Sequence, residues 1–103
     1  MKLFTVCWAS ASRDDDDNNN AYCNVHGSYT SMDKAKEGLE ECKDEFIEEI
    51  INNPDFDEAD REYATQDLNI YGSVEEQYYE LDYSSGENRN EVYIHIVETY
   101  LVA

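Results

Sequence analysis

The densest chemical functionality in this chain is a run of twelve carboxylates between residues 37 and 62. They are Glu37, Glu40, Glu41, Asp44, Glu45, Glu48, Glu49, Asp55, Asp57, Glu58, Asp60 and Glu62, set against two cations, Lys43 and Arg61. Seven of them fall in residues 37–49. At ~1.5 Å rise per helical residue they span about 20 Å, one charge every ~2.8 Å, against ~1.7 Å of axis per charge in B-form DNA. Like charges four apart, such as Glu37/Glu41, Glu40/Asp44 and Asp44/Glu48, each destabilise a helix by a few tenths of a kcal/mol. A surface that works against folding in this way suggests that its field is used.

Other reactive residues form weaker patterns. Residues 14–20 read Asp-Asp-Asp-Asp-Asn-Asn-Asn. An EF-hand loop needs Gly at its sixth position and Glu at its twelfth, and neither start, Asp14 nor Asp15, supplies them. Irregular cation binding by clustered oxygens stays open there, beside the plainer reading of a solvated loop. Cys23 and His26 have the spacing of half a zinc site, which Cys7 and His95 could complete. No second close pair supports it, so the expectation is no metal site. A Cys–His nucleophile would need a basic neighbourhood to lower the thiol pKa, and the surrounding charge does the opposite. Paired carboxylates for glycoside chemistry lack an evident cleft. The four glycines, at 27, 38, 72 and 86, build no phosphate loop. No catalytic residue and no cofactor are expected.

The chain of 103 residues carries 25 Asp and Glu against seven Lys and Arg, a net charge of −18. With 41% apolar and 13% aromatic residues it is no disordered acidic tail. Direct nucleic-acid binding is excluded, because that requires a basic face to displace counterions. An anionic membrane surface repels the chain for the same reason. No apolar run approaches the ~20 residues of a membrane span. Residues 1–12 hold one Lys and no long apolar stretch, so no secretory leader is expected. Three widely spaced cysteines, Cys7, Cys23 and Cys42, suit reduced thiols in a cytoplasm.

The positioning elements follow from hydrophobic periodicity. Residues 2–9 predict a central strand buried on both sides, with Phe4, Val6 and Trp8 on one face. Residues 10–20 predict a mobile acidic loop, and residues 22–27 a second strand antiparallel to the first. From Thr30, an N-cap hydroxyl with Asp33 three residues on, a helix runs to Asn52 and stops before Pro54. Its stripe is Met32, Ala35, Leu39, Cys42, Phe46 and Ile50, with steps of three and four. A second helix lies within residues 55–68, with Phe56, Ala59, Tyr63 and Gln66 on one face. Asn69, Ile70, Tyr71 and Gly72 break the pattern. Residues 73–76 match a capping box, but the alternation of Tyr79, Leu81 and Tyr83 predicts a strand over 78–83. A final strand over 91–102 forms a hairpin with it, Val92, Ile94 and Ile96 opposing Tyr93, His95, Val97, Thr99 and Leu101. The expected architecture is one α+β domain over residues 1–103. It has two layers, an antiparallel sheet of about four strands with one long acidic helix and a second short one.

In size, charge and lack of a catalytic motif the chain resembles small acidic proteins of phages and mobile elements. These include the DNA-mimic inhibitors of anti-restriction and anti-CRISPR type. The junction over residues 27–35, Gly-Ser-Tyr-Thr-Ser-Met-Asp-Lys-Ala, is similar to one common in small phage and bacterial proteins. The resemblance implies a phage-infected or element-bearing bacterial host and a protein that fills the nucleic-acid groove of a defence nuclease. It carries no residue roles. The residues themselves point to a non-enzymatic inhibitor that binds a basic nucleic-acid-binding protein. Its partner-binding set is Glu37, Glu40, Glu41, Asp44, Glu45, Glu48, Glu49, Asp55, Asp57 and Glu58. The alternative is a structural or regulatory interaction module that works through a tyrosine-rich sheet. Tyr71, Tyr78, Tyr79, Tyr83, Tyr93 and Tyr100 gather in its C-terminal half, and a homodimer through the last strand is open if that strand lies at an edge.

Overall fold

The computed structural model of the chain describes residues 1–13, 19–85 and 88–100. Its elements are β1 (Lys2–Arg13), β2 (Asn19–Tyr29), α1 (Met32–Ile51), α2 (Glu58–Asp67), β3 (Asn69–Ser73), β4 (Tyr78–Ser85) and β5 (Asn88–Tyr100). The five strands form one sheet in the order β2-β1-β5-β4-β3, antiparallel throughout. Both helices cover one side of it. The domain is α+β and two-layered, but the expectation of about four strands is corrected to five.

The fifth strand is β3, in the segment where Asn69, Ile70, Tyr71 and Gly72 interrupt any period. Five residues ending in Gly and Ser carry little strand signal of their own. Pairing makes the strand: Asn69 to Ser73 lie opposite Asp82 to Tyr78 of β4. The turn between them uses the predicted cap differently. The Ser73 hydroxyl accepts the Glu76 amide at 3.1 Å, yet the chain reverses at Gln77, whose φ is +65°, instead of continuing as helix.

β5 is the middle strand and pairs with β1 along twelve residues, Lys2↔Tyr100 through Arg13↔Arg89. The two most apolar strands are therefore neighbours. β5 lies at no edge, so the conditional homodimer through that strand falls away; the edges are β2 and β3. β1 is buried on one side only: Val6 is fully buried, whereas Ala9 on the opposite side is exposed. The expected acidic loop over residues 10–20 is corrected at both ends: β1 runs through Arg13 and β2 starts at Asn19, so residues 10–13 and 19–20 are strand, held by cross-strand pairing, and 14–18 lie outside the described residues. So does Leu101 at the far end.

The core is Val6, Leu81, Val92 and Ile94 of the sheet against Ala35, Leu39 and Cys42 of α1, with Tyr79 at its margin. Each large apolar side chain here contributes roughly 1.5–3 kcal/mol by burial. The stripe of α1 lands where its spacing puts it, and Phe46 meets Trp8 edge to face at 5.1 Å between ring centres. Gly38 joins the buried face unforeseen, because the Tyr29 ring occupies the space a side chain would need. The N-cap is Ser31, one residue later than expected, its hydroxyl accepting the Lys34 amide at 3.2 Å. α2 starts with a capping box between Asp57 and Asp60. It turns Ala64 inward instead of Ala59, Tyr63 and Gln66. At its last turn the Asp67 carboxylate accepts the Ser84 amide at 2.5 Å and the Ser84 hydroxyl at 2.8 Å, which fixes that rotation.

The molecule is long for its size. Its radius of gyration is 15.4 Å and its longest extent 50 Å, against a radius of ~13 Å for a compact domain of this length.

Candidate functional site

The stripe of α1 fixes where its acids go. With Ala35, Leu39 and Cys42 held against the sheet, Glu37, Glu41, Asp44, Glu45, Glu48 and Glu49 must face outward, and all six are exposed. Asp55 and Glu58 continue the exposed acids into the start of α2. From Asp33 to Asp67 the helix layer holds fourteen carboxylates and four cations.

Two of the ten predicted contact residues have work inside the fold. Glu40 is half-buried: Lys43 and the Tyr79 hydroxyl, at 2.5 Å, both donate to its carboxylate. The Lys43 ammonium also sits 4.8 Å from the centre of the Tyr79 ring. The Lys43 hydrogen bond, then that of Tyr79, holds the Glu40 carboxyl below its ordinary range. Asp57 is the N-cap of α2, its carboxylate accepting the Asp60 amide at 2.8 Å. Glu37 and Asp44 have lysine partners, Lys34 at 3.5 Å and Lys43 at 3.3 Å. The Lys34–Glu37 pair is exposed at both ends and contributes little, while Lys43 is mostly buried and is shared with Glu40. Glu48, Glu49, Asp55 and Glu58 have no cation within ion-pair distance among the described residues. The strongest unneutralised field therefore lies toward the C-terminal half of α1 and the start of α2. A shallow depression there is lined by Glu45, Glu48, Glu49, Asn52, Asn53 and Pro54.

Glu41 and Glu45 face an imidazole. The register of β1 and β2 shifts between Val6↔Gly27 and Cys7↔Val25, which leaves His26 as the extra residue of a β-bulge. Its ring lies on the α1 side, Nε2 at 3.9 Å from Glu41 and Nδ1 at 3.7 Å from Glu45. No periodicity in the sequence predicts a bulge, so this grouping was not legible there. The Cys23–His26 half-site separates because residues three apart on a strand lie on opposite faces. Cys23 pairs with Ala9 on the bare side of the sheet, and Cys7 sits across from His95 on that side too. Cys42 is buried, and burial, with Glu45 and Glu41 adding, pushes its thiol up to about 12, so it is no nucleophile at neutral pH.

The other side of the sheet carries no helix. Strand alternation brings Thr5, Cys7 and Ala9 of β1 there, with Cys23 and Val25 of β2, Tyr93, His95 and Val97 of β5, Tyr78 of β4 and Tyr71 of β3. Tyr78 stacks on Tyr93 at 5.7 Å and Tyr93 lies 5.0 Å from His95. Val25, Tyr71, Tyr93 and Val97 are exposed. Among the described residues, the charges on this side are Glu80, Asp82 and Glu91 with Arg13 and Arg89, close to balance. The tyrosines thus divide: Tyr79 and Tyr83 pack toward the helices, whereas Tyr71, Tyr78 and Tyr93 do not.

No family model, no curated protein and no solved structure matches the chain. Among the described residues, no helix is long and apolar enough to cross a membrane.

Proposed function

We propose that the chain is a non-enzymatic inhibitor whose helix layer presents nucleic-acid-like charge to a basic nucleic-acid-binding protein, such as a defence nuclease. The observation that carries the reading is the segregation of charge. The helix layer gathers fourteen carboxylates on one side, several without a cation among the described residues, while the described part of the bare sheet is nearly balanced. Solubility alone needs a net charge of only about 2–8 spread over a small domain. A field concentrated on one side steers a partner of opposite sign and fixes its orientation. Its setting is the cytoplasm of a phage-infected or element-bearing bacterium, where such nucleases act. The working residues are Glu41, Asp44, Glu45, Glu48, Glu49, Asp55 and Glu58, with Glu37 at the rim; Glu40 and Asp57 support them from inside the fold.

The test is capture from a bacterial host with and without nuclease treatment, followed by binding to the purified partner at several salt concentrations. The partner must be basic, must be displaced by duplex DNA, and must release steeply as salt rises, since exposed charges are screened within ~10 Å at 0.1 M. Glu48→Lys, Glu49→Lys and Glu58→Lys together move the net charge from −18 to −12 and should abolish capture. Tyr71→Ser with Tyr93→Ser should leave it intact.

The bare sheet supports a second reading, an interaction module that works through Tyr71, Tyr78, Tyr93, Val25 and Val97. Since β5 is central, a homodimer of this kind would stack sheet faces. Binding that ignores salt and fails in the tyrosine variant selects it over the nucleic-acid mimic.

A further inference from the structure

Three ligand-bearing side chains from two elements meet where the β2 bulge faces α1. One ligand atom each from His26, Glu41 and Glu45 lie within 4.8 Å of one another. We infer that these three residues bind a divalent transition-metal ion of the zinc class.

The imidazole distinguishes this group from the acids around it. His26 is 14% exposed, set in a hollow with Trp8, Phe46 and Cys42, while Glu41 and Glu45 are 65% and 60% exposed. One ligand is thus anchored and two are free to close. At 3.9 and 3.7 Å neither ring nitrogen is within hydrogen-bond distance of its carboxylate. Those distances run to different ring nitrogens, and an ion binds one of them; with one nitrogen chosen the three ligand atoms lie within 4.8 Å, against about 3.4 Å around a four-coordinate ion with bonds of ~2.1 Å, so closure takes rotamer changes of two surface glutamates. Glu41 and Glu45 repel each other one helical turn apart, and a cation between them removes that repulsion. A nitrogen with two carboxylate oxygens suits zinc, cobalt or nickel, whereas calcium and magnesium prefer oxygen alone. Three protein ligands leave a fourth position for water, and the apolar floor of the hollow limits solvent behind the ion.

Isothermal titration of the full chain with Zn²⁺, in physiological salt and excess Mg²⁺, tests the site, with NMR of the His26 ring as the second readout. One Zn²⁺ should bind and shift the His26 ring resonances, with those of His95 unmoved. His26→Gln should weaken binding at least about tenfold. So should Glu41→Gln with Glu45→Gln, which lie on an exposed helix face and leave the fold intact. Glu58→Gln with Glu62→Gln controls for non-specific attraction to the −18 charge and should change nothing. Absence of binding, equal competition by Mg²⁺, unchanged affinity in the glutamate variant, or loss in the control instead overturns the proposal. No partner enters the measurement, so its failure is separate from that of the proposed inhibitory function.

Discussion

Along α1 and α2 the outward surface is rich in carboxylates, while β5 turns Tyr93, His95 and Val97 to a side whose described residues carry almost no net charge. Both surfaces belong to one thin, two-layer domain and share one core. The helix layer is polarised: apolar where it meets Leu81, Val92 and Ile94, and predominantly acidic on its outward side. The sheet is two-faced in another sense, apolar on both sides but covered on one. The difference teaches that the acid is confined by the fold. A helix with a single apolar stripe sends most of its charges away from the sheet, Glu40 and Lys43 at the Tyr79 margin excepted, so the described part of the bare sheet side gathers little net charge.

The comparison breaks most severely if the shared core is removed. Leu39→Ala and Leu81→Ala, both at fully buried positions, should each cost about 2–5 kcal/mol in urea unfolding, as large-to-small core changes do. Val97→Ser on the bare side should cost about 0.5 kcal/mol or less. Equal losses at Val97 and Leu39 would mean that something covers the bare face in solution. Next in size is Gly72→Ala. Gly72 has φ +92°, and an added Cβ would strike the Tyr78 carbonyl oxygen across the hairpin. A loss of about 1–3 kcal/mol is expected from backbone strain. It acts on the β3 edge alone, so it should lower the melting temperature without weakening capture of a basic partner by the helix layer.

Glu40 joins the two layers, since its carboxylate receives Tyr79 of β4 and Lys43 of α1. Glu40→Gln should cost about 1 kcal/mol at pH 7, a charged hydrogen bond discounted for partial exposure. The pH dependence has a definite sign. Glu40 has a depressed carboxyl pKa in the folded state, so the unfolded chain takes up its proton first as pH falls. Its contribution is complete above the ordinary Glu range and is lost as pH drops through the lower folded value. The stability gap between parent and Glu40→Gln, measured by urea unfolding, should therefore narrow on acidification. A gap that stays constant with pH would show that Glu40 acts by packing alone.

How much of this the sequence carries depends on whether an element is held by its own pattern or by its partners. α1 was readable because Ala35, Leu39, Cys42 and Phe46 repeat at helical spacing and Pro54 marks the stop. β1 and β5 were readable as strands from alternation, but the extension of β1 to Arg13 and its pairing with β5 appear only in the register. β3 was not, because Asn69 to Ser73 become strand through their register with β4. The buried side of α2 was misjudged because the Asp67–Ser84 hydrogen bonds, which no periodicity announces, set its rotation. At the acidic face the outward acids were legible from the stripe, but the capture of Glu40 by Tyr79, thirty-nine residues away, was not. Nor was the bulge that brings His26 to Glu41 and Glu45, since one extra residue in a strand leaves its composition unchanged.

The smallest predicted effect bears directly on whether the acidic face is held against its own cost. Glu48 is exposed, has no cation within ion-pair distance among the described residues, and stands four residues after Asp44. Glu48→Gln removes that repulsion and keeps the length and helix propensity of the side chain. It also removes a negative charge from the last turns of α1, where the helix dipole disfavours one. Both terms have the same sign, so the variant should be more stable than the parent by a few tenths of a kcal/mol. That gain should shrink in high salt, which screens the same repulsion. Association with a basic partner should weaken over the same substitution. A gain in stability with a loss of binding is the signature of a charge kept for contact. A gain with binding unchanged would place the working surface elsewhere, with the bare sheet and its tyrosines the first place to look.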